Sequence, residues 1–213
     1  MGTKTLTLLQ AGLTQRLQNR TDLSSTNLTQ CINDAYDHVT RPNIYDHREL
    51  HGTQDITLTA TTTYALGSTV DVIRSVYNVT KGQFLNPRDI EQFDGRVSTT
   101  ARPTEWAIYG TNLILGTTPD SGTIGDTVRI RFWKYVTLLS ASSDTTAIHA
   151  RWDSIIEIGA SYYAWSLLGN VERKSEAGDE FARLIREVPE RAQITGKGRG
   201  FRAYPNIVDY QRR

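Results

Sequence analysis

The chain contains 213 residues, of which 38% are hydrophobic and 22% charged, and its formal net charge is +1. This size fits one domain or two small ones with a real core, and the near-zero charge excludes a protein that coats nucleic acid through its positive field alone. The single cysteine excludes a disulfide scaffold, and the lack of a long apolar run or signal-peptide layout predicts a soluble, non-secreted protein.

The N-terminal segment predicts two amphipathic helices. Leucines recur at spacings of three and four from Leu6 to Leu17, which places them on one helical face. Ser24 offers an N-cap to a second helix, whose apolar stripe runs from Leu28 to Val39 and which ends before Pro42. Two such helices joined by a short loop predict an antiparallel hairpin.

The period changes to two between about Asp55 and Leu139, which is typical of strands. The clearest half-buried strand lies at Val128–Phe132, where apolar residues alternate with arginine. The other strand candidates are Ile56–Ala60, Val70–Val79, Trp106–Tyr109 and Leu113–Leu115. Turn residues separate these runs, so the segment predicts a small antiparallel sheet or sandwich.

The helical period returns after Ser140. A broad apolar face runs from Trp152 to Leu167 and ends at Gly169, and a fourth helix follows until Pro189. The order of elements predicts an α+β fold. In this fold the N- and C-terminal helix pairs together form a four-helix bundle. In this prediction residues 1–45 and 141–189 form the bundle, and residues 46–140 form an inserted small antiparallel β-sheet or sandwich domain.

Residues 190–213 differ from the rest of the chain. They carry six basic and two acidic residues, whereas the first 189 residues sum to −3. Their hydrophobic residues follow neither a helical nor a strand period. This pattern predicts an extended C-terminal tail that becomes ordered on a partner. The candidate docking residues of this tail are Arg191, Lys197, Arg199, Phe201, Arg202, Tyr204, Ile207 and Tyr210. Gly196–Gly200 lacks the strand-turn-helix context of a phosphate-binding loop, which favours a flexible basic strap over contact with DNA.

No constellation has the spacing of an active site. Asp153 and Glu157 lie one helical turn apart, but acids at a helix N-terminus also favour the helix dipole. His47 and His51 lie in a connector without a third ligand, which favours exposed loop histidines. Cys31 is interpreted as a core residue. The sequence therefore predicts no catalytic site, no metal site and no cofactor.

A family resemblance rests on the segment Pro103–Leu115. It resembles the P-x-x-aromatic-x-(I/V)-x-G-x-x-(I/L)-x-(I/L) hairpin of the head-to-tail connector (adaptor, or head completion) proteins of tailed bacteriophages. Pro119 follows where that family has a proline-rich turn, although Thr117-Thr118-Pro119 stands in place of Pro-x-Pro. The resemblance extends over roughly residues 3–188.

The resemblance implies a structural adaptor in the neck of a virion, assembled in the host cytoplasm. It implies a ring of typically twelve copies beneath the portal protein, with the C-terminal segment inserted between portal subunits. The β region would face the next neck or tail protein, and genomic DNA would pass through the lumen without specific binding. A closed ring needs two complementary flanks on each copy. The candidate inter-subunit residues are Arg16, Asp37, Arg173, Glu180 and Arg183, with Asp34 and Arg186 among the other charged positions.

Two alternative functions remain open. One is a virion-associated peptidoglycan hydrolase, a tail accessory factor in which Asp153 and Glu157 would be the first catalytic candidates. The other is a carbohydrate-binding module built on the β region, with an exposed Trp106 stacking on a sugar.

Overall fold

The computed structural model describes residues 3–93 and 99–193, with side chains described as far as residue 187. The helices are α1 (Leu6–Arg16), α2 (Ser25–Thr40), α3 (Asp153–Leu167) and α4 (Val171–Gln193). The strands are β1 (His51–Thr57), β2 (Thr63–Ala65), β3 (Val70–Asn78), β4 (Gln83–Pro87), β5 (Glu105–Tyr109), β6 (Asn112–Leu115) and β7 (Thr127–Lys134). Short 3₁₀ turns lie at Arg48–Leu50, Ile90–Gln92 and Ala150–Trp152.

Local capping explains where several helices begin and end. The Ser24 side chain accepts a hydrogen bond from the Asn27 amide and begins α2, as its sequence predicts. Gly169, with φ +69°, follows α3 and confirms the predicted end of that helix. The prediction that α4 ends at Pro189 is wrong, because the helix continues to Gln193. Proline removes one helical hydrogen bond, but its fixed φ suits a helix.

The helical core is centred on α3, against which α1, α2 and α4 all pack. Gly159 permits this arrangement, because a Cβ atom there would lie 2.6 Å from the Phe181 ring of α4 and 3.1 Å from Ala35 Cβ of α2. Residues outside the helices complete the core, among them Leu50 and Ile148.

No helix in the described part of the chain has the length and apolarity needed to cross a membrane.

The strands form one sheet in the order β1-β7-β3-β4-β5-β6-β2. Its pairs are antiparallel except β4 and β5, which are parallel. The sheet is nearly closed, because Gln54 of one edge strand reaches the other edge. Its Nε2 donates to Ala65 O at 3.1 Å, and its Oε1 accepts from Gly67 N at 2.9 Å. A second core, distinct from the helical one, lies within the sheet.

The predicted four-helix bundle with an inserted small antiparallel sheet is therefore wrong. The fold is mixed α/β, with four helices and a nearly closed seven-stranded sheet that contains a parallel pair. Helix α4 rests chiefly on α3 and does not complete a symmetric bundle. The helical and sheet parts also meet, because Trp133 of β7 packs against the helical core.

Candidate interaction surfaces

Most of the predicted tail lies outside the described residues. This holds for Lys197, Arg199, Phe201, Arg202, Tyr204, Ile207 and Tyr210. Arg191 belongs to α4, so the extended segment predicted from residue 190 begins no earlier than residue 194. The tail therefore stays a prediction, apart from this correction of its first four residues.

Asp153 anchors the N-terminal segment to the first turn of α3. Its Oδ2 accepts from the backbone amide of Lys4 at 2.7 Å, and its Oδ1 accepts from Thr146 Oγ1 at 3.2 Å. Burial raises the pKa of the Asp153 carboxyl. An isolated β-bridge between Thr5 and Thr145 joins the same two segments. Both oxygens of the carboxyl group thus accept hydrogen bonds from within the chain.

Glu157, one turn further along α3, closes the same cluster. Its Oε1 accepts from Lys4 Nζ at 2.5 Å, and Arg16 Nε lies 4.0 Å from Oε2. Its carboxylate lies so close to α1 that a Cβ on Gly12 would be 2.4 Å from Oε1. Arg16, predicted as an inter-subunit residue, therefore has a partner within its own chain. Asp153 and Glu157 are 3% and 5% exposed, so neither offers the open carboxyl that a sugar cleft needs.

The other predicted inter-subunit residues lie on the surface of α2 and α4. Arg41 Nη2 lies 2.8 Å from Asp37 Oδ2 within α2 and its cap, and Arg173 Nη1 lies 3.6 Å from a Glu176 oxygen. Arg183 pairs with Glu187, and Glu180 is exposed. Exposed pairs of this kind stabilise a fold by only about 0–1 kcal/mol. They could therefore exchange partners at a protein interface.

A groove of about 760 Å³ lies between α1, α2 and residues 138–142. Asn33 fixes its wall, because its Nδ2 donates to Leu139 O and its Oδ1 accepts from Leu139 N, both at 2.9 Å. Leu138 stands at this wall with 47% of its surface exposed. The lining side chains include Gln10, Thr29, Gln30 and Asp34. Sequence reasoning missed the groove, because a loop distant in sequence forms one wall.

A shallower depression of about 230 Å³ lies on the outer side of α4. It is lined by Asp179, Ala182, Arg183, Arg186 and Glu187. These positions recur at helical spacing, and the small Ala182 side chain leaves the space between longer neighbours.

The predicted exposure of the connector histidines is wrong for His47, which is 1% exposed. Its ring lies 4.7 Å from that of Trp152, and its Nε2–H donates to Val39 O at 2.9 Å. Burial lowers the pKa of His47. His51 is half-buried and contacts Asp46, while Arg74 reaches the same ring.

Two further residues lie in the cores. Trp106, which the carbohydrate-binding alternative needs on the surface, is 8% exposed, and its Nε1–H donates to Leu85 O at 3.1 Å. The exposure of Trp106 that the carbohydrate-binding alternative expects is therefore wrong. Cys31 is buried, and burial raises the pKa of its thiol to about 11. In residues 3–93 and 99–187, no three His, Cys, Asp or Glu side chains are grouped to hold a metal ion.

The model of the SU10 adaptor protein family matches residues 4–204, and the chain belongs to this family. The match runs through both cores and beyond α4 into the basic C-terminal segment. None of the curated proteins matches the chain. The chain is accordingly a structural adaptor of a phage and a component of the virion.

Proposed function

We propose that this adaptor forms a ring, of twelve copies, that joins the portal protein to the next neck or tail protein. The observation that carries the proposal is the family match over residues 4–204, which includes the described fold and much of the basic tail. The proposal extends the general role of an adaptor to a position in the particle: the connector between head and tail.

The C-terminal residues bind the portal in this proposal. Residues 194–213 carry five basic residues against one acidic residue, and aromatic side chains at Phe201, Tyr204 and Tyr210. A segment of this composition buries little surface by itself and gains contacts by adding to a partner. The family match continues into this segment as far as residue 204, which supports a role for it.

The two parts of the fold have separate tasks in this proposal. Residues 1–45 and 141–189 pack side by side in the ring, and residues 46–140 face the next component. The sheet part exposes large apolar side chains that suit a protein partner, namely Val79, Phe84 and Ile124, between 40% and 56% exposed. The net charge of +1 suits a channel through which DNA passes without tight phosphate binding.

Truncation after Gln193 tests the role of the tail, because it leaves α4 and everything before it in place. We expect the truncated chain to lose association with the purified portal protein of the same virus in a pull-down or sedimentation assay. A milder full-length variant with Lys197, Arg199 and Arg202 changed to Gln should weaken association in a salt-dependent manner. Changing Arg131 to Gln on β7 is the control, because this exposed arginine lies outside the tail and the helical part, and it should have no such effect. Full portal association after truncation would contradict the proposal.

A further inference from the structure

Two opposite and exposed charges on the helical part lack partners, as Asp179 and Glu180 also do among the described residues. Asp34 on α2 and Arg186 on α4 form no hydrogen bond or ion pair with any side chain of the described ranges. Nearby arginines and acids of the same two helices pair within the chain, as Asp37 with Arg41 and Arg183 with Glu187 do. An unpaired exposed charge is available to a partner of opposite sign.

The groove beside α2 places an apolar side chain in the same lining as the free carboxylate. Asn33 precedes Asp34 in the chain and is bonded twice to Leu139, which follows Leu138, so Asp34 and Leu138 belong to adjoining segments of the groove lining. Leu138 is 47% exposed, and both it and Asp34 line the groove. The groove thus presents a leucine side chain and a carboxylate on adjoining segments of its lining.

The outer side of α4 presents the complement of this wall. Ala182 and Arg186 are four residues apart, so they are neighbours on one face of the helix, about 6 Å apart. The depression over Ala182 holds about 230 Å³, which is space for a leucine side chain. A guanidinium group therefore lies beside a recess over the small Ala182 side chain, as the Asp34 carboxylate and Leu138 both line the groove.

We propose that α4 of one copy lies in the groove of a second copy. Leu138 of one copy would then fill the recess over Ala182 of the next, and Asp34 would pair with Arg186. This inference rests on the proposed ring, and it names the two surfaces that form it.

The groove and the recess lie on different parts of the molecule, so each copy can contact two neighbours in the same way. The groove is lined by α1, α2 and residues 138–142, whereas the recess is lined by α4 alone. A copy can therefore use both at once, one toward each neighbour. Such a head-to-tail contact closes into a ring when the rotation between copies is suitable. Burial and the nearby Asp37 raise the pKa of Asp34, and an arriving guanidinium would favour its ionised form.

Cysteine cross-linking tests the contact directly, because the native Cys31 is buried and its thiol is poorly ionised at neutral pH. The full chain carrying Asp34→Cys and Arg186→Cys is oxidised alone and in the presence of purified portal protein. We expect a ladder of dimers, trimers and larger species on a non-reducing gel. The control combines Asp34→Cys with Arg131→Cys, an exposed position on β7 outside both named surfaces, and it should give no ladder.

Charge reversal provides the second test. Asp34→Arg and Arg186→Asp should each weaken self-association about tenfold or more, because each places like charges together. The two changes combined in one chain should restore association, since the pair is then reversed. A loss of association without rescue would contradict the pairing of Asp34 with Arg186.

The outcomes separate this inference from the proposed ring. If the unmodified chain assembles on the portal but the Asp34/Arg186 cysteine pair gives no ladder, the ring stands and the named contact is wrong. If both cysteine pairs cross-link equally, the named contact is again wrong. If the chain neither self-associates nor binds the portal, the proposed function fails together with the inference.

Discussion

The packing of α4 on α3 through Phe181 gives the sharpest prediction for the fold. The Phe181 ring is 6% exposed and lies against Gly159, with the His38 ring at a centroid distance of 5.4 Å. Changing a buried phenylalanine to alanine destabilises a protein by about 3–5 kcal/mol. We expect about 3 kcal/mol for Phe181→Ala, because Ala177 and Leu184 also pack against the helical core and continue to hold α4.

The same contact predicts that the effect of Gly159→Ala depends on Phe181. In the unmodified chain, the added Cβ would lie 2.6 Å from the Phe181 ring and should destabilise by about 2 kcal/mol net. In the Phe181→Ala chain the ring is gone, but Ala35 Cβ still lies 3.1 Å away and offsets the better helix propensity of alanine, so the substitution should be nearly neutral. The two substitutions should therefore couple by about 2 kcal/mol.

Denaturant unfolding of the four chains measures this coupling, and amide hydrogen exchange shows where it acts. A loss of about 3 kcal/mol corresponds to roughly 150-fold faster exchange of the α4 amides in Phe181→Ala. Leu167→Ala is the control, since Leu167 is 59% exposed and should change stability by less than about 0.5 kcal/mol. Additive effects of Gly159→Ala and Phe181→Ala would refute the close packing of the two helices.

Three further predictions concern buried polar groups. Cys31, whose thiol pKa is raised to about 11, should react with a thiol reagent at pH 8 at least about 100-fold more slowly in the folded chain than in urea. Asp153→Asn should change stability at pH 7 by less than about 1 kcal/mol, because it keeps an acceptor for the Lys4 amide and removes a buried charge, whereas Asp153→Ala should destabilise by about 2 kcal/mol. The lowered pKa of His47 means that the unfolded chain binds a proton first, so stability should be lost as pH falls below about 6.5. His47→Gln should reduce this loss in denaturation curves measured from pH 7.5 to 5.

Each of these three predictions can be contradicted by one measured result. Equal labelling rates of folded and unfolded chains would contradict the burial of Cys31. Equal destabilisation by both substitutions of Asp153 would show that its charge, and not its acceptor, matters. The exposed His149→Gln is the control for His47, and an equal effect of the two substitutions on the pH dependence would contradict the role of the buried ring.

The sequence predicts the elements of this fold better than their assembly. Leucine spacing and the Ser24 cap locate the first two helices, because these signals are local. The β5–β6 hairpin also follows from its sequence, with Gly110 in the left-handed region at the turn. Strands β2 and β4 escape sequence reasoning, because one has three residues and the other ends at Pro87.

The arrangement of the sheet and the state of several polar residues depend on contacts between distant segments. The parallel pairing of Asn86 with Glu105 and the bridge from Gln54 to the far edge leave no mark in a local pattern. The same holds for His47, which a loop-like sequence predicts to be exposed and which Trp152, more than 100 positions away, helps to bury. Asp153 and Glu157 are a similar case, since their spacing places both acids near the start of α3 but does not reveal that the distant Lys4 engages both.

The mass added to the portal tests the central claim most directly. The portal protein of the same virus is mixed with an excess of the chain, and the complex is weighed by native mass spectrometry. We predict that the portal gains the mass of twelve chains of 23.9 kDa each, with no stable complexes of intermediate mass at saturation. A portal that gains no mass, or that binds isolated copies without filling a ring, would contradict the account.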